Sequence, residues 1–286
     1  MALLLKGAAA AAKLTDITSA KVAQLKEREI IPTLAIVRLG ERSDDIAYER
    51  GAVKRCGQTG IEVVKHTLPE STAQSELLKL IEQFNCDNSV HGVLIMRPLP
   101  KHIDDHAVVS ALSPAKDVDG ITMGSMAAIY SGAGEGFAPC TAQACVEILK
   151  HYEIPLEGKK AAVVGRSLVI GKPVSQLLLK ENMTVTTCHS RSQKLEEICR
   201  EADVIIAAAG KAKMVTAEFV SEGQTVIDVG IHDDGNGGLC GDVKFDDVSE
   251  TVYAITPVPG GVGAVTTSVL ASHVVDAAEQ MHKKEK

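Results

Sequence analysis

Short runs of apolar, β-branched residues alternate with stretches whose apolar positions recur at helical spacing. This alternation is typical of βαβ units, because a parallel strand covered by helices on both faces is apolar throughout its length. The pattern predicts seven strands, at residues 33–40, 60–66, 90–100, 160–165, 184–190, 202–210 and 224–230. The sequence therefore indicates an α/β protein with parallel sheets.

Two helical stretches divide this series of strands. Residues 141–152 form an amphipathic stretch that stops before Pro155, and a second one begins near residue 265 and runs to the end of the sequence. A chain of 286 residues exceeds the usual size of one domain. We therefore expect two domains with a cleft between them, and a boundary that the chain crosses twice.

Composition narrows the function classes. The chain has 30 Lys and Arg against 37 Asp and Glu, for a net charge of −7, and it has no basic run of the kind that binds nucleic acid. No segment approaches the roughly 20 apolar residues of a membrane span. The seven cysteines lack C-x-x-C spacing or paired histidines, which argues against a disulfide framework or a zinc site. We expect a cytoplasmic protein with reduced, mostly buried thiols and no metal.

The segment A-A-V-V-G-R-S-L-V-I-G-K-P at 161–173 reads as a strand, a loop and the start of a helix. Gly165, Arg166, Ser167 and Gly171 would place backbone N–H groups, a helix N-terminus and a guanidinium around one point, as a phosphate requires. A tight connection without a ligand is an equally good interpretation, because the glycines do not follow the G-x-G-x-x-G pattern.

The loop after the next predicted strand contains Ser190 and Arg191. In a doubly wound sheet this position meets the adenosine ribose, where a carboxylate favours a free 2′-hydroxyl and Ser with Arg suits a 2′-phosphate. The loop favours NADP over NAD, although Arg191 could also be a solvated residue at a helix start.

Three further segments combine unusual residues. Thr256–Gly263 packs two prolines and three glycines into eight residues, which suits a surface approached closely by a flat ligand. Lys116–Gly120 places two aspartates before a glycine, and an Asx-type turn explains it equally well. Asp45 and Tyr48 stand three apart on a predicted helix, where a tyrosine alone is most simply a half-buried surface aromatic.

Together, and in this order, these segments resemble the methylenetetrahydrofolate dehydrogenase/cyclohydrolase family over essentially the whole chain. The segments that carry the resemblance are Val90-His-Gly92, Pro98-Leu-Pro100, Lys116-Asp-Val-Asp-Gly120, Pro139-Cys-Thr141, Gly165-Arg-Ser167 with Gly171 and Pro173, Cys188-His-Ser190, Gly241-Asp-Val243 and Thr256–Gly263. The resemblance implies two α/β domains joined by two long helices around a folate cleft. It assigns residues 1–140, completed by a helix at about 265–286, to the folate domain, and 141–264 to a Rossmann-like NADP domain that forms a homodimer.

The resemblance also implies roles for single residues. Gly165, Arg166, Ser167, Ser190 and Ile231 would contact NADP, with Arg166 and Ser190 beside the 2′-phosphate. Arg191 is predicted as a further NADP contact from the composition of its loop. Tyr48 would stack along the tetrahydrofolate substrate, and Asp119 would hydrogen-bond its pterin edge. The remaining predicted substrate contacts are Ile95, Met96, Arg97, Pro259, Gly260, Gly261, Val262 and Gly263.

Two positions depart from the family pattern. The family helix reads S-x-x-Y-V-x-x-K-x-K, and Ala52 stands where its first lysine is expected. Lys54 is a poor substitute, because it lies about 240° around the helix from Tyr48 whereas position 52 lies about 40° away. Met96 stands where the family has a glutamine that would hydrogen-bond this lysine. Both members of one interacting pair are replaced.

These departures affect the two family reactions unequally. Hydride transfer mainly requires two rings held face to face, whereas hydrolysis of the methenyl product needs a water and a proton acceptor. We predict an NADP-dependent dehydrogenase with weak or absent cyclohydrolase activity. One alternative is a fully bifunctional enzyme in which Asp45 or Lys54 compensates, although an aspartate at a helix start is commonly an exposed capping residue. The other alternative is a folate- or nucleotide-binding protein without turnover.

Overall fold

The computed structural model describes residues 2–235 and 237–283, which contain eleven strands and ten α-helices. The strands are β1 (Leu3–Leu4), β2 (Thr33–Leu39), β3 (Glu62–Leu68), β4 (Gly92–Ile95), β5 (Lys160–Val164), β6 (Thr184–Cys188), β7 (Val204–Ala207), β8 (Thr225–Asp228), β9 (His232–Asp233), β10 (Leu239–Cys240) and β11 (Ala254–Ile255). The helices are α1 (Gly7–Lys26), α2 (Ser43–Thr59), α3 (Gln74–Cys86), α4 (Asp105–Ala111), α5 (Met123–Ser131), α6 (Cys140–His151), α7 (Gly171–Lys180), α8 (Leu195–Arg200), α9 (Phe245–Val248) and α10 (Thr266–Lys283).

The larger sheet has six strands in the order β1-β11-β8-β7-β5-β6, and every pair in it is parallel. Its central strands β7 and β8 are buried at every position, which is why their sequences are continuously apolar or β-branched up to the final residue of β8. Strand β6 lies at the edge and is mostly exposed. This is a Rossmann-like arrangement in which the polar loops leave the carboxyl ends of the strands.

The smaller sheet has three parallel strands in the order β3-β2-β4. Its central strand β2 pairs with both neighbours, and β2 and β4 are almost entirely buried. The hydrophobic core on one side of this sheet joins Val37 and Ile95 to Leu77 and Ile81 of α3. A two-stranded antiparallel hairpin, β9 with β10, completes the strand inventory of the described residues.

The chain divides into two compact units. One contains the residues up to Ala12 together with Thr141–Thr266, and the other contains Lys13–Cys140 together with the chain from Thr267 onward. The family resemblance predicts that the whole of 1–140 belongs to one domain, but the first twelve residues group with 141–266. The reason is that Leu3 and Leu4 pair in parallel with Ala254 and Ile255.

The α/β architecture with two parallel sheets is confirmed, and each predicted strand corresponds to an observed one. The prediction omitted β1, β9, β10 and β11, which are only two residues long each. Helices α6 and α10 correspond to the two predicted dividing helices. Residues 284–286 of the predicted C-terminal helix lie outside the described residues.

Candidate active site

Helix α2 presents one buried face, formed by Asp45, Glu49, Ala52, Cys56 and Thr59 at alternating spacings of four and three. Two aspartates occupy its first turn, where the helix dipole favours negative charge, and Gly60 ends it in the left-handed conformation. Tyr48 is half-buried beside this face. The helix thus directs Asp45 and Tyr48 to the same side, because residues three apart are neighbours on a helix surface.

A cavity of about 340 Å³ lies at the end of this face. Its lining residues come from the start of α2, the end of β4 and the loop before α5, and they are Arg42, Asp44, Asp45, Tyr48, Leu94, Ile95, Met96, Arg97 and Asp119. The predicted folate contacts of the first half of the sequence therefore lie together. Position 52 is the exception: Ala52 is fully buried but does not line the cavity.

Asp119 is electrostatically the most perturbed carboxyl in this cavity. Burial, with the nearby Asp117 carboxylate, raises its pKa from 3.8 to about 7, against the opposing effects of a hydrogen bond from Cys140 and the charge of Arg97. Burial and the Asp119 charge also raise the pKa of Tyr48 well above 10, so its hydroxyl remains protonated. Such perturbed groups in a cavity are typical of functional sites.

The other residues of the Lys116–Gly120 motif hold the chain in place. Asp117 is fully buried and accepts hydrogen bonds from Ile121 N (3.0 Å), Thr122 N (2.7 Å) and Ser125 Oγ (2.6 Å). Lys116 donates through Nζ to the backbone carbonyls of Phe84, in the last turn of α3, and of Asp87, just after it. The turn interpretation is correct for Asp117, whereas Asp119 lines the cavity.

Arg97 and Met96 continue from the end of β4. Met96 is only 5% exposed and donates its backbone N–H to Val37 O at 2.9 Å, which extends the sheet by one residue. The Arg97 guanidinium is exposed and pairs with Asp105, with Nε at 2.8 Å from Oδ1. The cavity therefore has an apolar thioether at position 96 and an arginine whose charge is already compensated.

The expectation for Asp45 as an exposed cap is wrong. Its residue exposure is 6%, and the N-cap of α2 is Arg42, which makes no side-chain capping hydrogen bond. Lys54 is exposed and does not line the cavity, as its angular position predicts. Of the two residues considered as substitutes for the missing lysine, only Asp45 reaches the site.

In the other unit, the Gly165 loop connects β5 to α7 as predicted. Glycine is required at both ends by backbone packing, since a Cβ on Gly165 would lie 2.1 Å from Ala208 O and one on Gly171 would lie 2.2 Å from Gly165 O. Gly165 also has φ +136°, which other residues rarely adopt. The tight-connection interpretation therefore accounts for the two glycines.

The start of α7 is less open to a ligand than the sequence suggested. The hydroxyl of Ser167 accepts hydrogen bonds from the N–H groups of Ile170 (3.1 Å) and Gly171 (3.4 Å). The backbone carbonyl of Ser167 accepts a hydrogen bond from Lys172 N (3.0 Å). The next residue, Pro173, has no N–H. Within the described residues, the free donors of this loop are the amides of 166–169 and the exposed guanidinium of Arg166.

The loop after β6 lies beside this one, because β5 and β6 pair with Val164 opposite Cys188. His189 closes the turn by accepting from Arg191 N through Nδ1 (3.1 Å) and from Ser192 N through its carbonyl (2.8 Å). Ser190 and Arg191 are left exposed, and neither arginine side chain of the two loops has a partner among the described residues. Two uncompensated guanidinium groups with free amides fit a phosphorylated dinucleotide.

The Thr256–Gly263 loop and Ile231 line a second cavity of about 340 Å³. Ile231 is 61% exposed, and a Cβ on Gly263 would lie 3.6 Å from its Cδ1. Gly260 needs its positive φ of +101°, and the close approach of the Pro257 carbonyl requires glycine at 261. The structure therefore brings together two predictions that the sequence treated separately, a cofactor contact and a substrate-facing loop.

Two buried aspartates that sequence reasoning did not identify hold these loops. Asp228, at the end of β8, accepts from the backbone N–H groups of Gly230, Asp242 and Val243 at 2.9–3.0 Å, and burial raises its pKa to about 6. Asp242 accepts from Gly210 N, Lys211 N and His232 Nε2. The signal was the Gly241-Asp-Val243 segment, whose glycine is needed because a Cβ would clash with the Asp228 carboxylate.

A larger cavity, of about 610 Å³, contains none of the predicted site residues. It lies in the unit of the smaller sheet, where Thr33, Glu62 and His91 mark the amino ends of the strands. Ligands of parallel α/β sheets bind at the carboxyl ends, so position selects the smaller cavity over the larger one.

The seven cysteines are free thiols, five of them buried. Across residues 2–235 and 237–283, no cluster of three His, Cys, Asp or Glu side chains is arranged to hold a metal ion. Across the same residues, no helix has both the length and the apolar character needed to cross a membrane.

Comparison with known proteins agrees with this geometry. Residues 5–119 match the family model of the tetrahydrofolate dehydrogenase/cyclohydrolase catalytic domain, and residues 139–282 match that of the corresponding NAD(P)-binding domain. The bifunctional protein FolD of Alkaliphilus oremlandii is 46% identical over 282 residues, which is 99% of each chain.

Solved structures give the same result. The bifunctional FolD dehydrogenase/cyclohydrolase of Campylobacter jejuni superimposes with a TM-score of 0.94 at 38% identity, covering 98% of this chain and 99% of that one. The FolD of Trypanosoma brucei, solved with NADP and an inhibitor, gives 0.90 at 32% identity, covering 98% of both chains.

A Rossmann-like unit whose loops expose backbone amides and two guanidinium groups, together with a second α/β unit that holds a carboxyl-lined cavity, is the arrangement expected of a nucleotide-dependent oxidoreductase. Within that class, the chain belongs to the tetrahydrofolate dehydrogenase/cyclohydrolase family. Its NAD(P)-binding domain is the cofactor domain that the sequence predicted.

Proposed function

We propose that this protein oxidises 5,10-methylenetetrahydrofolate to 5,10-methenyltetrahydrofolate with NADP, and that its hydrolysis of the methenyl product is weak or absent. The bound nicotinamide would accept the hydride. The Trypanosoma brucei relative binds NADP, which supports the same cofactor here. The exposed, unpartnered Arg166 and Arg191 support a ligand that carries the additional 2′-phosphate.

The lining of the cavity that contains Asp45, Tyr48 and Asp119 is the observation that supports weak or absent hydrolysis. Among the described residues no lysine lines this cavity, Met96 contributes a thioether, and Ala52 ends in a buried methyl group. Loss of a general base costs about 10²–10⁴ in rate. The Alkaliphilus oremlandii and Campylobacter jejuni relatives are called bifunctional, so the substitutions at 52 and 96 are the reason to expect a difference in this chain.

Residues of the two smaller cavities support the proposed hydride transfer. Tyr48 offers an aromatic side chain whose hydroxyl stays protonated, and Asp119 offers a carboxyl that hydrogen-bonds in either protonation state. The prolines and glycines of 256–263 offer a backbone surface beside Ile231. Positioning of this kind supplies much of the rate in reactions between two bound molecules.

A fully bifunctional enzyme is the second candidate, because Asp45 is buried in the same cavity as Tyr48 and could act as a proton acceptor. One assay separates the candidates. Enzyme, methylenetetrahydrofolate and NADP are mixed, and reduced cofactor, methenyl product and formyl product are followed together. Reduced cofactor with persistent methenyl supports the proposal, and methenyl consumption well above its spontaneous rate refutes it. Tight binding without reduced cofactor indicates a binding protein.

We further propose that the protein works in the cytoplasm as a homodimer formed through the NADP-binding unit. The seven free thiols support a reducing compartment. Light scattering after gel filtration tests the assembly, and a monomeric mass at micromolar concentration would contradict it.

A further inference from the structure

Asp45 is a carboxylate without a partner in a buried position. It lies in the first turn of α2 and is 6% exposed. Together with Tyr48 and Asp119, it lines the cavity of about 340 Å³ at the start of α2. Within residues 2–235 and 237–283, no hydrogen-bond donor or cation contacts its side chain. Buried carboxylates are otherwise paired, because an uncompensated buried charge is costly.

Glu49, one turn further along the same buried face, shows the usual arrangement. It is 9% exposed and is held by Arg38 Nε at 2.7 Å and by Lys65 Nζ at 3.7 Å. Cations from β2 and β3 thus compensate Glu49, and no cation of the described residues reaches Asp45. Asp45 lines the cavity, so a ligand in the cavity would meet this carboxylate.

The two arginines of the cavity are engaged elsewhere. Arg97 forms an ion pair with Asp105, and Arg42 donates through a guanidinium N–H to Pro98 O at 3.1 Å. Asp44, the other carboxylate of the first turn, is exposed to solvent at the rim. A positively charged group of a ligand in the cavity would complete Asp45.

The reaction assigned above creates such a group. Removal of a hydride breaks one C–H bond of the bridging carbon, transfers the hydrogen with its electron pair to the oxidised nicotinamide, and leaves one positive charge shared by the two flanking nitrogens. We infer that Asp45 binds this charge and makes the site selective for the cationic methenyl form, an inference that rests on the proposed function.

This role opposes hydrolysis. A carboxylate that stabilises the bound cation lowers the energy of the ground state from which water attack begins, so it slows that attack unless the transition state gains equally. The family pattern has serine at position 45 and lysine at position 52. Both replacements make the cavity more negative, and both favour retention of the cation.

Binding without cofactor tests the inference directly. Dissociation constants are measured for 5,10-methenyltetrahydrofolate, a cation, and for 5-formyltetrahydrofolate, which has the same glutamate tail but no ring charge. Asp45→Asn and Asp45→Ser should each reduce the preference for the cation by about 10- to 100-fold, because one close charge pair is lost. Asp45→Glu, which keeps the charge, should retain much of it.

Asp44→Asn is the matched control, because it removes a neighbouring but exposed carboxylate from the same cavity and should change the preference less than threefold. The rate at which bound methenyl is hydrolysed gives an independent readout. It should stay constant or rise in Asp45→Asn, whereas loss of a general base would lower it.

Three results would overturn the inference. They are a cation preference of Asp45→Asn within threefold of wild type, an equal change of that preference in Asp44→Asn, and a slower methenyl hydrolysis in Asp45→Asn. Thermal unfolding of each variant shows that the fold is retained. If NADP is not reduced by the wild type but the cation preference still depends on Asp45, the proposed reaction fails and the binding role stands.

Discussion

Asp119 should make the stability of this protein depend on pH, and replacement by asparagine should remove that dependence. The pKa of this carboxyl rises from 3.8 to about 7 in the folded protein, mainly through burial. The folded state therefore binds the proton more tightly than the unfolded chain. Below about pH 4 both states are protonated and Asp119 has no effect on stability.

Between these two pKa values the unfolded chain ionises while the folded protein does not. Stability then falls by about 1.4 kcal/mol for each pH unit as the pH rises, and the loss ends near pH 7. A rise from 3.8 to about 7 corresponds to a total of about 4 kcal/mol. Because Asp119 lines a cavity and is only half-buried, this total is an upper limit.

The assay is urea unfolding of wild type and Asp119→Asn at about pH 5 and about pH 8. The variant should gain stability relative to wild type between these values by about 2–3 kcal/mol, because its amide does not ionise. Asp44→Asn, which removes an exposed carboxylate of the same cavity, should shift little. An Asp119→Asn difference that is constant with pH would refute the assignment of a buried, destabilised carboxylate.

Three other predictions concern the cofactor and hydrolysis sites. Ala52→Lys combined with Met96→Gln should raise methenyl hydrolysis by about 10²-fold or more; an unchanged rate in a folded double variant would show that this pair is not the cause. Arg191→Gln should raise the KM for NADP about tenfold without changing the KM for NAD. Arg28→Gln, which replaces an exposed arginine in the other unit, should change neither KM. An equal rise in KM for both cofactors would count against the 2′-phosphate contact. Gly171→Ala should destabilise the protein by several kcal/mol, because the added Cβ would lie 2.2 Å from Gly165 O. Gly57→Ala in α2 should stabilise the protein by about 1 kcal/mol, because a Cβ there would meet no atom within 4 Å. Thermal unfolding of both variants tests this contrast.

The strands were predictable where burial on both faces makes a sequence uniformly apolar. Strands β5, β7 and β8 are of this kind, and they correspond to the predicted runs to within a few residues. Strands β1 and β11 were not predictable, because two residues carry no periodicity. Their pairing depends on a contact between positions about 250 residues apart in sequence, which no local pattern records.

The candidate site was predictable in its residues but not in their environments. A polar residue in the first turn of a helix is usually a solvated cap, so the sequence of α2 gave no sign that Asp45 is buried. Likewise, glycines at 165 and 171 look the same whether a ligand or the protein's own backbone approaches them. Only the distances to Ala208 and Gly165 distinguish the two cases.

The replacements proposed at positions 52 and 96 are understandable as a pair. Position 52 is fully buried and Met96 is nearly so. If only the lysine of the family pattern were replaced, the glutamine would keep a buried amide without a partner, which costs about 1–3 kcal/mol. Replacing both partners by apolar groups leaves no unpaired amide and is nearly neutral for the stability of the fold.

The fold therefore tolerates replacement of both residues better than replacement of one. The single variants Ala52→Lys and Met96→Gln should each be less stable than the double variant. If only the rate of hydrolysis mattered, the family lysine at position 52 and glutamine at position 96 could be replaced independently. The need to satisfy buried polar groups instead links the two replacements. With Ala52 and Met96, neither of these two buried positions has a side-chain hydrogen-bonding group that needs a partner.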